Sequence, residues 1–254
     1  MKIVMVGSGN TATVLSLLLK QAGHEIVQVV SRNIDHARQL AAKYNGNFDS
    51  LDAPEFAEAD IYIIALNDAA LDHVEKYTAL RGKLVVHTAG SVSIHSLKRI
   101  TGTYGVFYPL QSVSKHLDYV PEIPFLVDGN TQEIRHRILG LAKSISKLVI
   151  EAGDAERLHY HVAAVFVSNF TNHMYALAEL FCKKERLEFK TLLPLINEVA
   201  ARANNNSPFL TQTGPALRDD VFTLNRHLQS LTAHPDLRYV YLKLSESIIK
   251  THKR

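Results

Sequence analysis

The first 33 residues constrain the fold more than any other part of the chain. A continuous apolar run at 3–6 and a β-rich run at 26–30, which is apolar except for Gln28, flank a glycine-rich turn, GSGNTA, and a helical apolar pattern over 11–22. Strands that are covered on both faces are continuously apolar, and such strands belong to parallel sheets. The stretch therefore predicts a strand, a tight turn, a crossover helix and a second parallel strand.

The same alternation continues to about residue 150, which predicts a doubly wound, mostly parallel sheet of the Rossmann-like α/β class. We expect further strands at 61–66, 84–87, 104–107, 124–127 and 148–151. We expect helices at 11–22, 35–44, 69–78, 93–98 and 131–147.

The pattern changes after Gly153, where helical periodicity replaces strands. It runs over 154–182, which is longer than a usual globular helix, so we expect a kink or break. Further helices are expected at 189–203, 215–231 and 237–250, with a loop at 204–208. The sequence thus predicts two domains, an α/β domain over 1–153 and an all-α domain over 154–254.

The turn after the first strand fits the pattern G-x-G-x-x-A, in the strand–turn–helix context that a dinucleotide site requires. Gly7 would make the tight turn, and Gly9 would let the backbone approach a pyrophosphate at the helix N-terminus. The expected contacts come from Gly7, Ser8, Gly9, Asn10 and Thr11. The alternative is an ordinary βα turn that is rich in glycine.

Ser31, Arg32 and Asn33 follow the second strand, where an NAD site usually carries an acid. A guanidinium and a hydroxyl would instead bind a 2′-phosphate, which favours NADP. The alternative is a solvated arginine on a loop. Leu66 and Asn67 end a later strand and are expected beside the cofactor, and Asn67 should also cap the next helix.

Composition excludes several classes of protein. The net charge is +3 and no block of like charges appears, which argues against a nucleic-acid groove. Cys182 is the single cysteine, so an internal disulfide or a CxxC metal site is excluded, and a reducing cytoplasmic compartment is expected. No signal-peptide pattern or membrane-length apolar run appears, and we expect no metal and no membrane partner.

Six segments together resemble one known family. They are the glycine loop at 7–12, SRN at 31–33, HTAG at 87–90, FYPLQ at 107–111, AAVFVSNF at 163–170 and TGPALRDD at 213–220. The set resembles a family of proteins described as NADP oxidoreductases, which join a Rossmann-like domain to a helical domain of unknown function. This family is similar to pyrroline-carboxylate reductase and to the 6-phosphogluconate and β-hydroxyacid dehydrogenases. The resemblance implies NADP, an active site between the two domains and a helical domain used for dimerisation. It implies no particular substrate.

One departure from these relatives matters. The β-hydroxyacid dehydrogenases use a Lys-x-x-x-Asn pair on the first helix of the second domain. If Asn169 is that asparagine, the lysine position holds Val165. Imine reduction, which needs less from a protein proton donor, survives this departure better than alcohol oxidation by a lysine acid/base.

Four residues are candidates for catalysis: His87, His161, Asn169 and Arg218. His87 ends a strand at the presumed cofactor crevice, and histidine exchanges protons near neutral pH. The long helical segment carries a polar stripe that would line a cleft or meet another helix, and Asn169 lies on the flank of this stripe. The stripe consists of His161, Ser168, Asn172, Tyr175 and Glu179. Arg218 would hold an acidic group of the substrate near a helix N-terminus.

Each of these candidates also has a structural interpretation. His87 would be satisfied by a backbone group, the stripe would form a helix–helix contact, and Arg218 would belong to a surface network. Asp220 and His227 lie seven positions apart and are expected to form a hydrogen-bonded pair.

The sequence thus predicts an NADP-dependent oxidoreductase that transfers hydride between NADP(H) and a small imine or carbonyl substrate. A deazaflavin is a second candidate as hydride partner. The alternatives are a non-catalytic module that senses NADP(H) or another nucleotide, and an assembly scaffold. The apolar 162–170 segment predicts a homodimer under each hypothesis.

Overall fold

The computed structural model describes residues 1–112, 119 and 121–252. It divides into two compact units, Met1–Asn169 and Phe170–Arg254. The first unit contains the predicted α/β region and continues past Gly153, the boundary expected from sequence, to Asn169. The segment that follows the last strand therefore packs with the sheet.

The first unit is built on an eight-stranded sheet in the order β3-β2-β1-β4-β5-β6-β7-β8, which confirms the predicted fold class. Neighbouring strands are parallel except β6 and β7, which are antiparallel. The strands are β1 Lys2–Val6, β2 Glu25–Ser31, β3 Asn47–Ser50, β4 Ile61–Ile64, β5 Leu84–His87, β6 Thr103–Pro109, β7 Phe125–Gly129 and β8 Val149–Glu151.

Apolar helix faces cover the sheet and form its two core layers. The helices of the first unit are α1 Asn10–Gln21, α2 Ile34–Ala42, α3 Asp68–Leu71, α4 Gln132–Lys143 and α5 Asp154–Ala164. Helix α1 is an example of such an amphipathic helix, because Val14, Leu15 and Leu19 lie on one face of it and are buried against the sheet.

The helix expected over 69–78 is wrong in extent. Only the one-turn α3 forms there, followed by 3₁₀ turns at Val74–Lys76 and Thr78–Leu80. The segment expected at 93–98 is the 3₁₀ helix Ile94–Arg99. Short 3₁₀ turns satisfy backbone groups where the chain must bend too tightly for an α-helix.

The long helical segment after Gly153 is broken, as its length predicts. Helix α5 ends at Ala164, Val165–Phe170 forms a π-helical turn, and α6 Thr171–Lys184 belongs to the second unit. A π turn inserts one extra residue per turn and shifts the side chains that follow it around the helix. The regular polar stripe expected across 161–179 is therefore out of phase beyond Val165.

Among its described residues, the second unit contains α6, the 3₁₀ helix Phe189–Leu192, three further α-helices and no strand. The α-helices are α7 Leu193–Asn205, α8 Val221–Ser230 and α9 Pro235–His252. The helix expected from residue 215 is wrong at its start. Asp219 has a positive φ of 57°, and the Asp220 side chain caps α8 by accepting the backbone N–H of Thr223. The backbone at Asp219 is non-helical, so the helix begins only after the cap.

The helices of the second unit bury few of their apolar side chains. Within the described part of α7, α8 and α9, no residue is buried. The exposed large apolar side chains of this unit include Leu180, Leu193, Leu195, Val199, Leu210, Phe222, Tyr239 and Leu244. Among the described residues, no helix combines the length and the apolar character needed to cross a membrane.

Candidate active site

The glycine loop lies at the carboxyl ends of the parallel strands, where open α/β sheets bind ligands. Gly7 has a φ of +126°, and a Cβ built there would lie 2.4 Å from the carbonyl oxygen of Ala65. Its N–H donates to the Val30 carbonyl at 2.7 Å. Only glycine fits this turn, because its backbone conformation and the adjacent β4 end both exclude a side chain.

Gly9 serves a different purpose from Gly7. A Cβ on Gly9 would meet nothing within 4 Å, so the backbone there faces open space. Gly9 precedes α1, whose N-terminus has no side-chain cap and no acidic residue in its first turn. The first N–H groups of α1 and its dipole thus form a potential site for a pyrophosphate.

Ser31, Arg32 and Asn33 have three different environments. The Ser31 hydroxyl is buried and hydrogen-bonded to the Ser8 hydroxyl at 2.7 Å, which ties the glycine loop to the end of β2. Asn33 caps α2 by accepting the backbone N–H of His36 at 3.0 Å. Arg32 is exposed, and it forms no ion pair with the part of the chain that the structure describes. Of the three, Arg32 is the residue whose side chain is available to a phosphate.

Leu66 and Asn67 follow β4 at the same edge of the sheet. Asn67 caps α3, as its position predicts, by accepting the backbone N–H of Ala70 at 3.0 Å. Leu66 is partly buried and packs against the core layer on that face. Their contact with a cofactor stays a prediction.

A cavity of about 520 Å³ opens beside the glycine loop within the first unit. Its lining combines Thr11 of α1, Thr88 after β5, residues 108–112 at the end of β6, and residues from 160 to 169. The volume lies in the range of small-molecule sites. His161 and Asn169, both expected in the site, are in this lining, and residues on both sides of Gly153 contribute to it.

Tyr108 and His161 form a hydrogen-bonded pair in the cavity wall. The Tyr108 Oη lies 2.8 Å from the His161 Nδ1, and the two rings meet edge to face with centroids 5.9 Å apart. Burial raises the pKa of Tyr108 to about 12, and the Asp68 carboxylate adds to the rise. The Tyr108 phenol therefore keeps its proton at neutral pH.

Gly90 allows this pair to form. A Cβ on Gly90 would lie 2.8 Å from the His161 Nδ1 and 2.8 Å from the Tyr108 Cζ. The backbone after β5 thus packs directly on both rings. A side chain at this position would separate the rings or displace one of them.

His87 is placed differently from the expectation. It ends β5, but its side chain is fully buried, and it is not in the lining of the cavity. Its Nδ1 accepts the backbone N–H of Ala89 at 3.2 Å. Burial, together with the nearby charge of Arg157, lowers the pKa of His87 to about 4. This burial does not support direct proton exchange between His87 and a substrate at neutral pH, and a role of His87 in orienting the nicotinamide stays a prediction.

Arg157 and Asp154 join α5 to the segment after β5. The Arg157 side chain is 1% exposed, and its Nη2 donates to the Val92 carbonyl and to Asp154. Burial tends to raise the pKa of Asp154, but hydrogen bonds from Ser93, Ile94 and Arg157 outweigh it, and the pKa is lowered. This cluster fixes the position of α5, and with it His161, against the sheet.

Arg218 lies in the second unit, and its side chain is exposed. The expected pair of Asp220 and His227 is wrong, because Asp220 accepts hydrogen bonds from Thr223 and the His227 Nδ1 bonds to the Tyr241 Oη at 2.8 Å. The cap of α8 occupies the Asp220 carboxylate. A role of Arg218 in substrate binding stays a prediction.

Sequence reasoning did not select Tyr108, Thr88 or Gly90 as site residues, although the segments that contain them belong to the family resemblance. A tyrosine inside an apolar strand is typical of a core residue. Tyr108 and His161 are 53 positions apart, so no local pattern announces their contact. Among the described residues, no cluster of His, Cys, Asp or Glu has the arrangement of a metal site.

Two family models match the chain. One, described as NADP oxidoreductase coenzyme F420-dependent, covers residues 2–90, and a domain of unknown function covers residues 123–248. The first match contains the glycine loop, Arg32 and Gly90. The second begins before the last two strands of the sheet and continues through the helical unit.

Solved structures give a fuller comparison. A Bacteroides fragilis protein assigned as an NADP oxidoreductase is 39% identical, with a TM-score of 0.91 over 100% of this chain and 98% of the other. A pyrroline-5-carboxylate reductase from Streptococcus pyogenes shares the fold at 16% identity, with a TM-score of 0.62 over 98% of each chain. A reductive aminase from Aspergillus terreus, in complex with NADPH, does so at 14% identity, with a TM-score of 0.67 over 98% and 93% of the two chains.

Curated relatives match a shorter stretch. The chain is 34% identical to glutamyl-tRNA reductase of Sulfolobus acidocaldarius over 68 residues. That match covers 27% of this chain and 16% of the length of the relative.

Proposed function

Because this chain belongs to the family of NADP oxidoreductases that join a Rossmann-like domain to a helical domain, we propose that it reduces a small imine or carbonyl compound in the cavity beside its glycine loop. The observation that carries this proposal is the cavity lining, which joins Thr11 of α1 to the Tyr108–His161 pair. The start of α1, which follows the glycine loop, and a pair of side chains that can carry a proton thus line one cavity. A reductase needs its cofactor and its proton source close to the same substrate.

The residues at the glycine loop fit NADP. The open space at Gly9 and the uncapped N-terminus of α1 suit the pyrophosphate, and the exposed Arg32 suits the 2′-phosphate. When bound, NADPH supplies the hydride that reduces the C=N or C=O carbon. Thr11 and Thr88 both line the cavity.

The remaining lining residues would bind and orient the substrate. Asn169 presents an amide that can donate to or accept from a polar substituent, and Leu110, Ala164 and Val167 offer apolar contact. His161 also lines this cavity, and its ring is hydrogen-bonded to Tyr108. Small, partly apolar imines and ketones match this lining.

An assay of NADPH consumption, monitored through the absorbance of NADPH, tests this function. With methylpyrroline as the imine probe and cyclohexanone as the carbonyl probe, we expect turnover of at least one that depends on protein and saturates with NADPH. The deazaflavin alternative, which the name of the matching family model favours, predicts NADPH consumption with an oxidised deazaflavin and none with either probe. NADPH binding with no turnover in any arm would favour the sensing module.

We also propose that two copies of the chain pair through the second unit. Leu195 on α7, Leu210 after it and Phe222 on α8 are 61%, 81% and 73% exposed. So many exposed apolar side chains on one small helical unit are typical of a surface that a partner covers. A second copy carries the same surface, so pairing about a two-fold axis would cover both surfaces at once.

The reducing, cytoplasmic compartment inferred from Cys182 stays a prediction.

The substitution Leu195→Glu tests this pairing. A buried, unpaired carboxylate in an apolar interface is costly, so we expect the variant to have the mass of one chain by light scattering, and the wild type twice that mass. Glu198→Gln, on the same helix and already ion-paired with Arg202, serves as the control and should keep the wild-type mass. A wild type with the mass of one chain at micromolar concentration would contradict the proposal.

A further inference from the structure

The Tyr108–His161 pair differs from the other tyrosine–histidine pair on the same strand. Tyr104, also on β6, has its Oη 3.2 Å from the His95 Nδ1, with the two rings edge to face at 6.2 Å. The two pairs have the same chemistry. Only Tyr108–His161 borders the cavity beside the glycine loop, since Tyr104 lies toward the opposite end of β6.

From this arrangement we infer that Tyr108 donates the proton that completes reduction of the substrate, and that His161 returns a proton to it. The inference rests on the proposed function and assigns its proton source. Tyr108 would contact the substrate heteroatom, whereas His161 would act through Tyr108.

The position of the Tyr108 hydroxyl supports this role. The Tyr108 residue is 8% exposed and lines the cavity, so packing fixes its ring, and its Oη is hydrogen-bonded to His161, which lines the same cavity. The phenol keeps its proton at neutral pH, so a proton is available there in every turnover. A developing alkoxide or amide is far more basic than a phenolate and therefore takes that proton.

The proton transfer balances as follows. As the substrate carbon is reduced, the electron pair of the C=N or C=O π bond moves to the heteroatom. The Tyr108 O–H bond breaks, and a new bond forms between that proton and the heteroatom. The Tyr108 oxygen takes the Nδ1 proton of His161, while the His161 ring takes up one proton from solvent. Each turnover consumes one solvent proton.

His161 is suited to exchange with solvent, because its side chain is partly exposed, in contrast to the buried His87. Gly90 packs against His161, and the Arg157–Asp154 cluster joins helix α5 to the segment after β5. Together they hold His161 in place. Gly90 packs closely on both rings, at a distance that a side chain would not allow. The pair is therefore preorganised for transfer along the 2.8 Å hydrogen bond.

The test compares Tyr108→Phe with its matched control, Tyr104→Phe. Each substitution removes one hydroxyl from β6 and one hydrogen bond to a histidine Nδ1, and only the first affects the cavity. We expect kcat with the methylpyrroline or cyclohexanone probe to fall about a hundredfold in Tyr108→Phe, and to stay at the wild-type value in Tyr104→Phe. NADPH affinity, measured by calorimetry, should stay within about twofold of wild type in both.

A second readout is independent of activity. In nitrogen NMR spectra of histidine side chains, the Nδ1 resonance of His161 should move in Tyr108→Phe and stay in place in Tyr104→Phe, where that of His95 moves instead. His161→Gln should lower kcat about tenfold and change the solvent deuterium isotope effect on kcat, which a purely structural role would leave unchanged.

The outcomes separate this inference from the proposed function. A wild type that turns over a probe, beside a Tyr108→Phe variant within about threefold of its kcat, overturns the inference alone. A wild type that binds no NADPH and turns over neither probe overturns the proposed function, and the inference with it. If NADPH binds and neither probe reacts, an unmoved His161 Nδ1 resonance overturns the inference, because it excludes the hydrogen bond on which the proton transfer depends, and a moved resonance supports that hydrogen bond.

Discussion

Alanine at Gly7 is expected to destabilise the protein, whereas alanine at Gly9 is expected to leave it folded but poor at binding NADPH. At Gly7 the new Cβ would adopt a φ of +126° and approach the Ala65 carbonyl oxygen to 2.4 Å. Such strain costs about 1–3 kcal/mol, and relieving the contact requires β1 to move away from the end of β4. We expect the free energy of unfolding to fall by about 3 kcal/mol in urea titrations.

Gly9 lies in an extended conformation, with φ −79° and ψ −169°, that alanine adopts without strain. Its Cβ meets nothing within 4 Å in the protein, so stability should change by less than about 1 kcal/mol. The methyl group would instead occupy the space through which the backbone approaches a pyrophosphate. We expect NADPH affinity, measured by calorimetry, to fall about tenfold or more, or about 1.4 kcal/mol.

The two variants are controls for each other, because each adds one methyl group to the same loop. Wild-type stability in Gly7→Ala would contradict the close packing of β1 on β4. Unchanged NADPH affinity in Gly9→Ala would contradict the placement of the pyrophosphate above the N-terminus of α1.

Much of the first unit is predictable from sequence because its strands are locally encoded. The apolar runs within β1, β4 and β5, and the β-rich run of β2, belong to strands covered on both faces, and the glycine spacing marks the turn between β1 and α1. Asn67 is recognisable as a cap because a side-chain oxygen precedes a helix there. These features need only neighbouring residues to be recognised.

The elements that sequence reasoning missed depend on distant contacts. Strand β3, with the sequence NFDS, is polar and forms only because β2 offers an unpaired edge. The π turn at Val165–Phe170 has no local signature, yet it sets the phase of the side chains around Asn169. The start of α8 depends on the backbone of Asp219, which its sequence alone does not reveal.

The candidate site divides in the same way. The glycine loop and Arg32 are found from spacing, and His161 and Asn169 from the polar residues on an apolar helix. Tyr108 is found only when β6 and α5 are placed side by side. His87 has the sequence position of a catalytic residue, but burial removes it from the cavity.

The expected preference for NADP over NAD depends on Arg32, because its exposed guanidinium follows β2 at the position where NAD-binding units place an acid. A charge-assisted contact to the 2′-phosphate would stabilise bound NADPH and contribute nothing to NADH. Arg81→Ala is the matched control, because this exposed arginine precedes β5 and therefore lies at the opposite edge of the sheet from the glycine loop.

The NADP assignment is tested by calorimetric titration of the wild type, Arg32→Ala and Arg81→Ala with NADPH and with NADH. We expect the wild type and Arg81→Ala to bind NADPH at least tenfold more tightly than NADH, a difference of about 1.4 kcal/mol. Arg32→Ala should lose that preference by weakening NADPH alone. A wild type with no preference for NADPH, or an Arg32→Ala variant that keeps it in full, would contradict the assignment of the 2′-phosphate to Arg32.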